Sequence, residues 1–267
     1  MTRAAWSDTG AGPVVALLHA FPCDHRMWDA QASGLVEDGW RVLVPDLPGF
    51  GASPLPDGEP ALSAVVDLIV ADLLEMGVDR LVVGGLSVGG YLVMEWLRRY
   101  PEMLAGIALC DTKGTADGPE ARSGRLAMAE SVSADPARTG VILRERMLEG
   151  IVGVTTRGER PDVLARVAAW MDAVSAQTVA WYQQAMAARP DSLTTLTECE
   201  IPALVLWGEE DTMSDDSEQR LMLEALPDVR DAKVSRAGHL SAIENPAEVT
   251  KQLVSFAAGV RRTGTDG

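Results

Sequence analysis

Residues Arg80 to Tyr100 read RLVVGGLSVGGYLVMEWLRRY. A β-like apolar run ends in two glycines, Gly84 and Gly85; Ser87 stands alone; Gly89 and Gly90 follow; then comes a helix-like run. Glycine is costly inside regular structure, so four of them around one serine mark a backbone bent where side chains would not fit. Gly85-Leu86-Ser87-Val88-Gly89 matches G-x-S-x-G, the strand-to-helix elbow that thrusts a serine hydroxyl over the C-terminal edge of a sheet. The helix behind it points its N-terminal amides at the same spot, where negative charge can be held. Five residues recur by chance, and the weight rests on the strand before and the helix after. Dinucleotide loops need a G-x-G-x-x-G spacing and phosphate loops a following lysine. Neither is present.

Working outward, VVALLHA (Val14 to Ala20), RVLVPD (Arg41 to Asp46), RLVVGG (Arg80 to Gly85), GIALCD (Gly106 to Asp111), ALVLWG (Ala203 to Gly208) and DAKVSR (Asp231 to Arg236) read as short strands. Most are continuous apolar runs, as strands buried on both faces are. Helical patterns lie between them. LSAVVDLIVADLLEMG places Leu62, Val65, Val66, Ile69, Leu73 and Met76 on one face and stops at Gly77; YLVMEWLRRY (Tyr91 to Tyr100) stops before Pro101. Such alternation predicts an α/β fold with a mostly parallel sheet flanked by helices. It breaks once, from Thr112 to Glu198, where only helical segments follow the turn-rich TKGTADGPE. The expected organisation is therefore a core of residues 1–111 and 199–267, with residues 112–198 inserted as a helical cap.

At 267 residues, 47% hydrophobic and 23% charged, the chain can bury a sizeable core in one domain with its insertion. A net charge of -16 argues against nucleic acid and anionic membranes as partners. Cys23, Cys110 and Cys199 are too few and too scattered for a disulfide framework or zinc site. No apolar run reaches the ~18 residues of a membrane span, and MTRAAWSDTG lacks a secretory core, so a reducing cytoplasm is the default location.

A serine hydroxyl needs a base. Of His19, His25 and His239, only His239 follows Ser87, as the chain order serine, acid, histidine requires. Its context, SRAGHLSAIENP, puts it on a loop just past the last strand. The acid should follow a strand between these two, and LVLWGEEDTMS offers Glu209, Glu210 and Asp211. Asp211 is preferred, because the turn from Gly208 returns its third residue to the sheet edge. Asp111, ending GIALCD, is the alternative, and a turn or capping role suits it better.

With these residues in place the chain resembles the α/β-hydrolase superfamily over nearly its whole length outside the cap. LLHAFPCDHRMWDAQ (17–31) resembles the H-G-x-P oxyanion loop, and PDLPGFGAS (45–53) the D-x-x-G-x-G-x-S loop. LVLWGEED (204–211) matches the acid turn, and AGHLSAIENP (237–246) the G-H-x-x-x-x-E-x-P ending. The wording is closest to 3-oxoadipate enol-lactonase-like hydrolases. The resemblance implies about seven strands, since only TRAAWSD precedes the Val14 strand and the first of the usual eight is absent. It implies Ser87, Asp211 and His239 as a triad, and the backbone amides of Phe21 and Val88 as an oxyanion hole. It makes His19 a structural residue of that loop, and Asp46, Gly49, Gly51 and Ser53 loop-shaping ones. His25 is then a surface or pocket-rim residue. Ala20 stands where the family usually carries glycine.

The expected chemistry is hydrolysis of a small carboxylic ester or lactone through an acyl-enzyme on Ser87, with no cofactor and no metal. The same triad also serves cofactor-free lyases, C–C hydrolases, perhydrolases and biosynthetic cyclases; a non-catalytic ligand-binding protein would be expected to lack a triad member. Specificity should lie in the cap. Met128, Met147, Trp170, Trp181 and Tyr182, with Met171 and Met186, are candidates to line the substrate pocket, although most should simply pack cap helices together. Arg144, Arg146, Arg157, Arg160 and Arg166 are either solvated cap charges or, in one case, a clamp for a substrate carboxylate.

Overall fold

A computed structural model describes residues 3–263. Seven strands form one sheet: β1 (Trp6–Gly10), β2 (Val14–Leu18), β3 (Arg41–Pro45), β4 (Leu81–Leu86), β5 (Leu104–Cys110), β6 (Ala203–Gly208) and β7 (Val229–Val234). Their order is β1-β3-β2-β4-β5-β6-β7, parallel throughout except for β1, which runs antiparallel to β3 with Trp6 opposite Pro45. The N-terminal segment thus supplies an edge strand, giving the seven expected. The last strand lies two residues earlier than its apolar pattern suggested. Its register starts at Val229 opposite Ala203, and the chain then turns at Arg236, whose φ is 56°.

Helices in chain order are α1 (Asp29–Glu37), α2 (Leu62–Glu75), α3 (Val88–Arg99), α4 (Pro119–Ala134), α5 (Thr139–Ile151), α6 (Val154–Glu159), α7 (Pro161–Ala173), α8 (Ala176–Ala187), α9 (Leu193–Thr197), α10 (Asp216–Ala225), α11 (Ser241–Glu244) and α12 (Pro246–Thr263). Of the predicted face of α2, Leu62, Val65, Val66, Ile69 and Leu73 are buried. Helix α3 begins at Val88, three residues before the apolar pattern suggested, because Gly89 and Gly90 occupy its first turn.

Glycines show how closely the layers approach. A Cβ on Gly85 would lie 2.2 Å from Gly89 in α3, whereas one on Gly106 would meet Val260 and Phe256 of α12. Gly84 is paired with Ala108, two residues on from Gly106, so Gly84 and Gly106 share a face and Gly85 points to the other. Helices α3 and α12 therefore cover opposite faces of the central strands. Helices α4 to α9 all stand between β5 and β6. Among the described residues no helix is long and apolar enough to cross a membrane.

Candidate active site

Three chain reversals at strand ends meet at one rim. Ser87 caps α3 with φ 56° and ψ -112°, a left-handed conformation that costs a non-glycine residue about 1–3 kcal/mol. Its neighbours hold it there: Ser87 N–H donates to the Cys110 carbonyl at 2.9 Å, and its own carbonyl accepts Thr112 Oγ1 at 2.8 Å. A Cβ on Gly89 would sit 2.2 Å from the Leu18 carbonyl oxygen. The flanking glycines are thus required by close backbone approach, while the serine itself carries the strained dihedral.

His239, in the loop after β7, places Nε2 2.8 Å from Ser87 Oγ and Nδ1 2.9 Å from Asp211 Oδ2. Asp211, just beyond β6, also accepts Ser214 Oγ at 2.5 Å and Met213 N–H at 2.8 Å. Burial alone would raise the Asp211 pKa; the charge and hydrogen bond of His239, with Ser214 and the Met213 amide, outweigh it and hold it down to about 2. An ionised carboxylate only accepts, so Nδ1 carries the proton and Nε2 faces the serine hydroxyl as an acceptor.

Asp111, the alternative acid, points elsewhere. It accepts Gly208 N–H at 2.8 Å and shares a short hydrogen bond with Ser241 Oγ, tying the acid turn to the histidine loop. Full burial, then the nearby Asp211 charge, raise its pKa well above the ordinary carboxylate value. Of the other two acid-turn candidates, Glu209 is exposed, and Glu210 accepts Thr155 N–H and Thr155 Oγ1, which pins the start of α6 to the rim. Glu244 works beside it, bridging Leu240 N–H at 3.0 Å and Gly153 N–H at 2.8 Å.

Phe21 lines the same pocket as Ser87, and Val88 opens α3, where helix geometry leaves the first amides without intrahelical acceptors. The Ala20 amide is occupied by Met27 Sδ at 3.1 Å. His19 is buried; its Nε2 accepts Leu47 N–H at 2.8 Å and its Nδ1 lies 2.9 Å from the Ala20 carbonyl. Burial lowers its pKa to about 4, which keeps it neutral and locks the Ala20 loop to the Leu47 loop. Asp46 organises the next loop, accepting Ala52 N–H and, through its carbonyl, Ser53 Oγ. His25 Nδ1 lies 2.6 Å from Asp46 Oδ1 and is partly exposed.

The Ser87 pocket has a volume of about 60 Å³. Of the seven side chains proposed to line it, Met147 and Met186 do. The other five, among them the buried Met171, lie elsewhere. Trp181 and Tyr182 are buried in a cluster with Phe50, whose ring is 4.8 Å from that of Tyr182. Trp170 lies under the Arg166 guanidinium, 4.7 Å away, on a separate hollow. Met128 is buried where α4 packs along α8. Nor do the five candidate arginines reach the pocket: Arg144 pairs with Asp172, and Arg160 donates to the Arg236 carbonyl.

Lys113 and Arg125, which are not among the sequence candidates, supply the pocket's positive charge, and Tyr91, Gln183, Ile151 and Met213 also line it. Arg125 Nε donates to Asp117 at 2.5 Å, Arg189 to the same carboxylate at 2.8 Å, and Lys113 Nζ stands 3.7 Å off. Burial would raise the Asp117 pKa, but the two arginines hold it down to about 2. Position gave the one available signal: Lys113 follows β5, and ligand-facing residues collect beyond the carboxyl ends of parallel strands.

The family profile described as alpha/beta hydrolase fold matches residues 13–246, and the chain belongs to that family. A thermophilic esterase from Thermogutta terrifontis is similar in structure with a TM-score of 0.91 and 35% identity, over 96% of this chain and 93% of that one. The enol-lactonase from Burkholderia xenovorans LB400 shares the fold, with a TM-score of 0.86, 23% identity and 95% coverage of both chains. A 119-residue stretch is 32% identical to bifunctional epoxide hydrolase 2 of Sus scrofa, spanning 44% of this chain and about a fifth of that protein's length.

Proposed function

We propose that this chain is a serine hydrolase of small carboxylic esters or lactones, working through an acyl-enzyme on Ser87. One observation carries the reading: the unbroken hydrogen-bonded chain from Ser87 Oγ through His239 to Asp211. Likeness to the Thermogutta esterase supports it. In this reading Ser87 Oγ attacks the carbonyl carbon while His239 Nε2 takes its proton, and Asp211 stabilises the imidazolium. The amides of Phe21 and Val88 receive the oxyanion; each such donor is typically worth about 3 kcal/mol. His239 then protonates the leaving alcohol, and water repeats the cycle on the ester of Ser87. Helices α4 to α9 act as the cap, held over the rim by Glu210 and Glu244.

Hydrolysis of p-nitrophenyl acetate and labelling by a fluorophosphonate test the reading together. Ser87→Ala should abolish labelling and lower kcat by about 10⁴-fold or more. An unlabelled wild type, or a Ser87→Ala variant that still turns over, would remove the serine from the chemistry.

A further inference from the structure

The cavity against Ser87 is too small for most esters. A water-sized group occupies at least ~10–15 Å³ of such space, so about 60 Å³ takes roughly the bulk of an acetyl group. Anything larger must extend past the wall. A second hollow, of about 210 Å³, lies between the start of α2 and the end of α8, and it shares two wall residues with the first: Tyr91 and Lys113. Leu62, Met94 and Ala185 give it buried apolar lining, and Glu95, Arg98 and Arg189 give it charged lining.

The two shared residues differ in how firmly they are held. Tyr91 is buried and fixed, with the Arg189 guanidinium 4.1 Å over its ring and Arg189 in turn bonded to Asp117. Lys113 is a long flexible side chain whose ammonium has one distant carboxylate, Asp117 at 3.7 Å, and it can swing without breaking a close contact. The partition is therefore one rigid post and one movable arm.

We infer that this hollow is a second substrate chamber, in which the longer aliphatic limb of the ester lies after passing between Tyr91 and Lys113. The inference rests on the serine-hydrolase reading above and adds the substrate class: esters with an acyl or alcohol limb of several carbons.

Two tryptophan substitutions fill the chamber from opposite walls, Ala188→Trp at the end of α8 and Ser63→Trp in the first turn of α2. Each is compared with wild type on p-nitrophenyl acetate, p-nitrophenyl octanoate and octyl acetate, after melting curves confirm folding. In both variants kcat/KM for at least one long ester should fall tenfold or more relative to the acetate, mainly through KM. Ratios for both long esters within twofold of wild type would overturn the inference, as would a wild type that takes the short ester and neither long one. Ser87→Ala serves as the separate control. Residual turnover there sinks the serine reading, whereas complete loss with unchanged chain-length ratios sinks the chamber alone.

Discussion

The sheet rim and the helical segment facing it enclose the same small cavity under different constraints. At the rim every side chain of interest lies within a few residues of a strand end, and the backbone fixes where it points. Ser87 has no other direction available once Gly85 and Gly89 are pressed against their neighbours. Across the cavity, which side chains face Ser87 depends on how helices pair. Helix α4 packs along α8 and α5 along α7, and those pairings turn Trp181, Tyr182 and Met128 inward while leaving Met147, Met186 and Arg125 at the pocket. Position along the chain governs one half; packing governs the other.

The largest expected effect contrasts the two buried acids of the rim. Asp211→Asn should lower kcat by about 10⁴-fold, because the amide can no longer hold the imidazole with its proton on Nδ1. Asp111→Asn should leave kcat within a few-fold, since that side chain bonds Gly208 and Ser241 rather than His239 and an amide keeps its shape. Stability should separate them too. Held at about 2 against an ordinary value near 3.9, Asp211 contributes stability that is present above that ordinary value and lost as pH falls through about 2. Asp111 is shifted the other way, so its burden on folding grows as pH rises above about 4. The melting temperature of Asp111→Asn relative to wild type should therefore be higher at pH 8 than at pH 4. An Asp111→Asn variant as inactive as Asp211→Asn would exchange their roles.

Next in size is Gly89→Ala. Its φ lies outside the left-handed region, so conformational freedom does not demand glycine there. The demand is spatial, because the added methyl would lie 2.2 Å from the Leu18 carbonyl oxygen and backbone cannot step aside cheaply. Overpacking of this kind costs about 1–3 kcal/mol, and the shift would also displace Ser87 from His239. Lower melting temperature and lower kcat should appear together; a wild-type melting curve would refute the close-approach account of the elbow.

The same contrast explains what could be read from the chain in advance. Ser87, His239 and Asp211 were legible because strand-to-helix bends and short acid turns impose residue types at fixed spacings, and the sheet was legible from apolar runs. The offset of β7 arose because an edge strand with exposed Arg230 and Asp231 carries little apolar signal at its start. Arg125 and Arg189 were not legible, and Lys113 only through its place after β5. Charges in a helical insertion belong in solvent by default, and the carboxylate they converge on, Asp117, sits in a turn-rich stretch with no periodicity. Bulky aromatics misled for the converse reason: Trp181 and Tyr182 are large enough to line a pocket and equally able to fill a core.

Trp170 gives the smallest expected effect on activity and the sharpest test of that distinction. The residue is 5% exposed, with Arg166 over its ring, on a hollow that excludes Ser87. Trp170→Ala should destabilise the fold by about 3 kcal/mol, as deletion of a buried aromatic does, while kcat/KM on p-nitrophenyl acetate stays within twofold. Met147→Ala provides the counterpart, since it removes pocket wall rather than scaffold and should raise KM several-fold with a smaller loss of stability. If Trp170→Ala changed KM and Met147→Ala did not, the helices over the rim would have to pair differently during turnover, and a closed arrangement would become the state to seek.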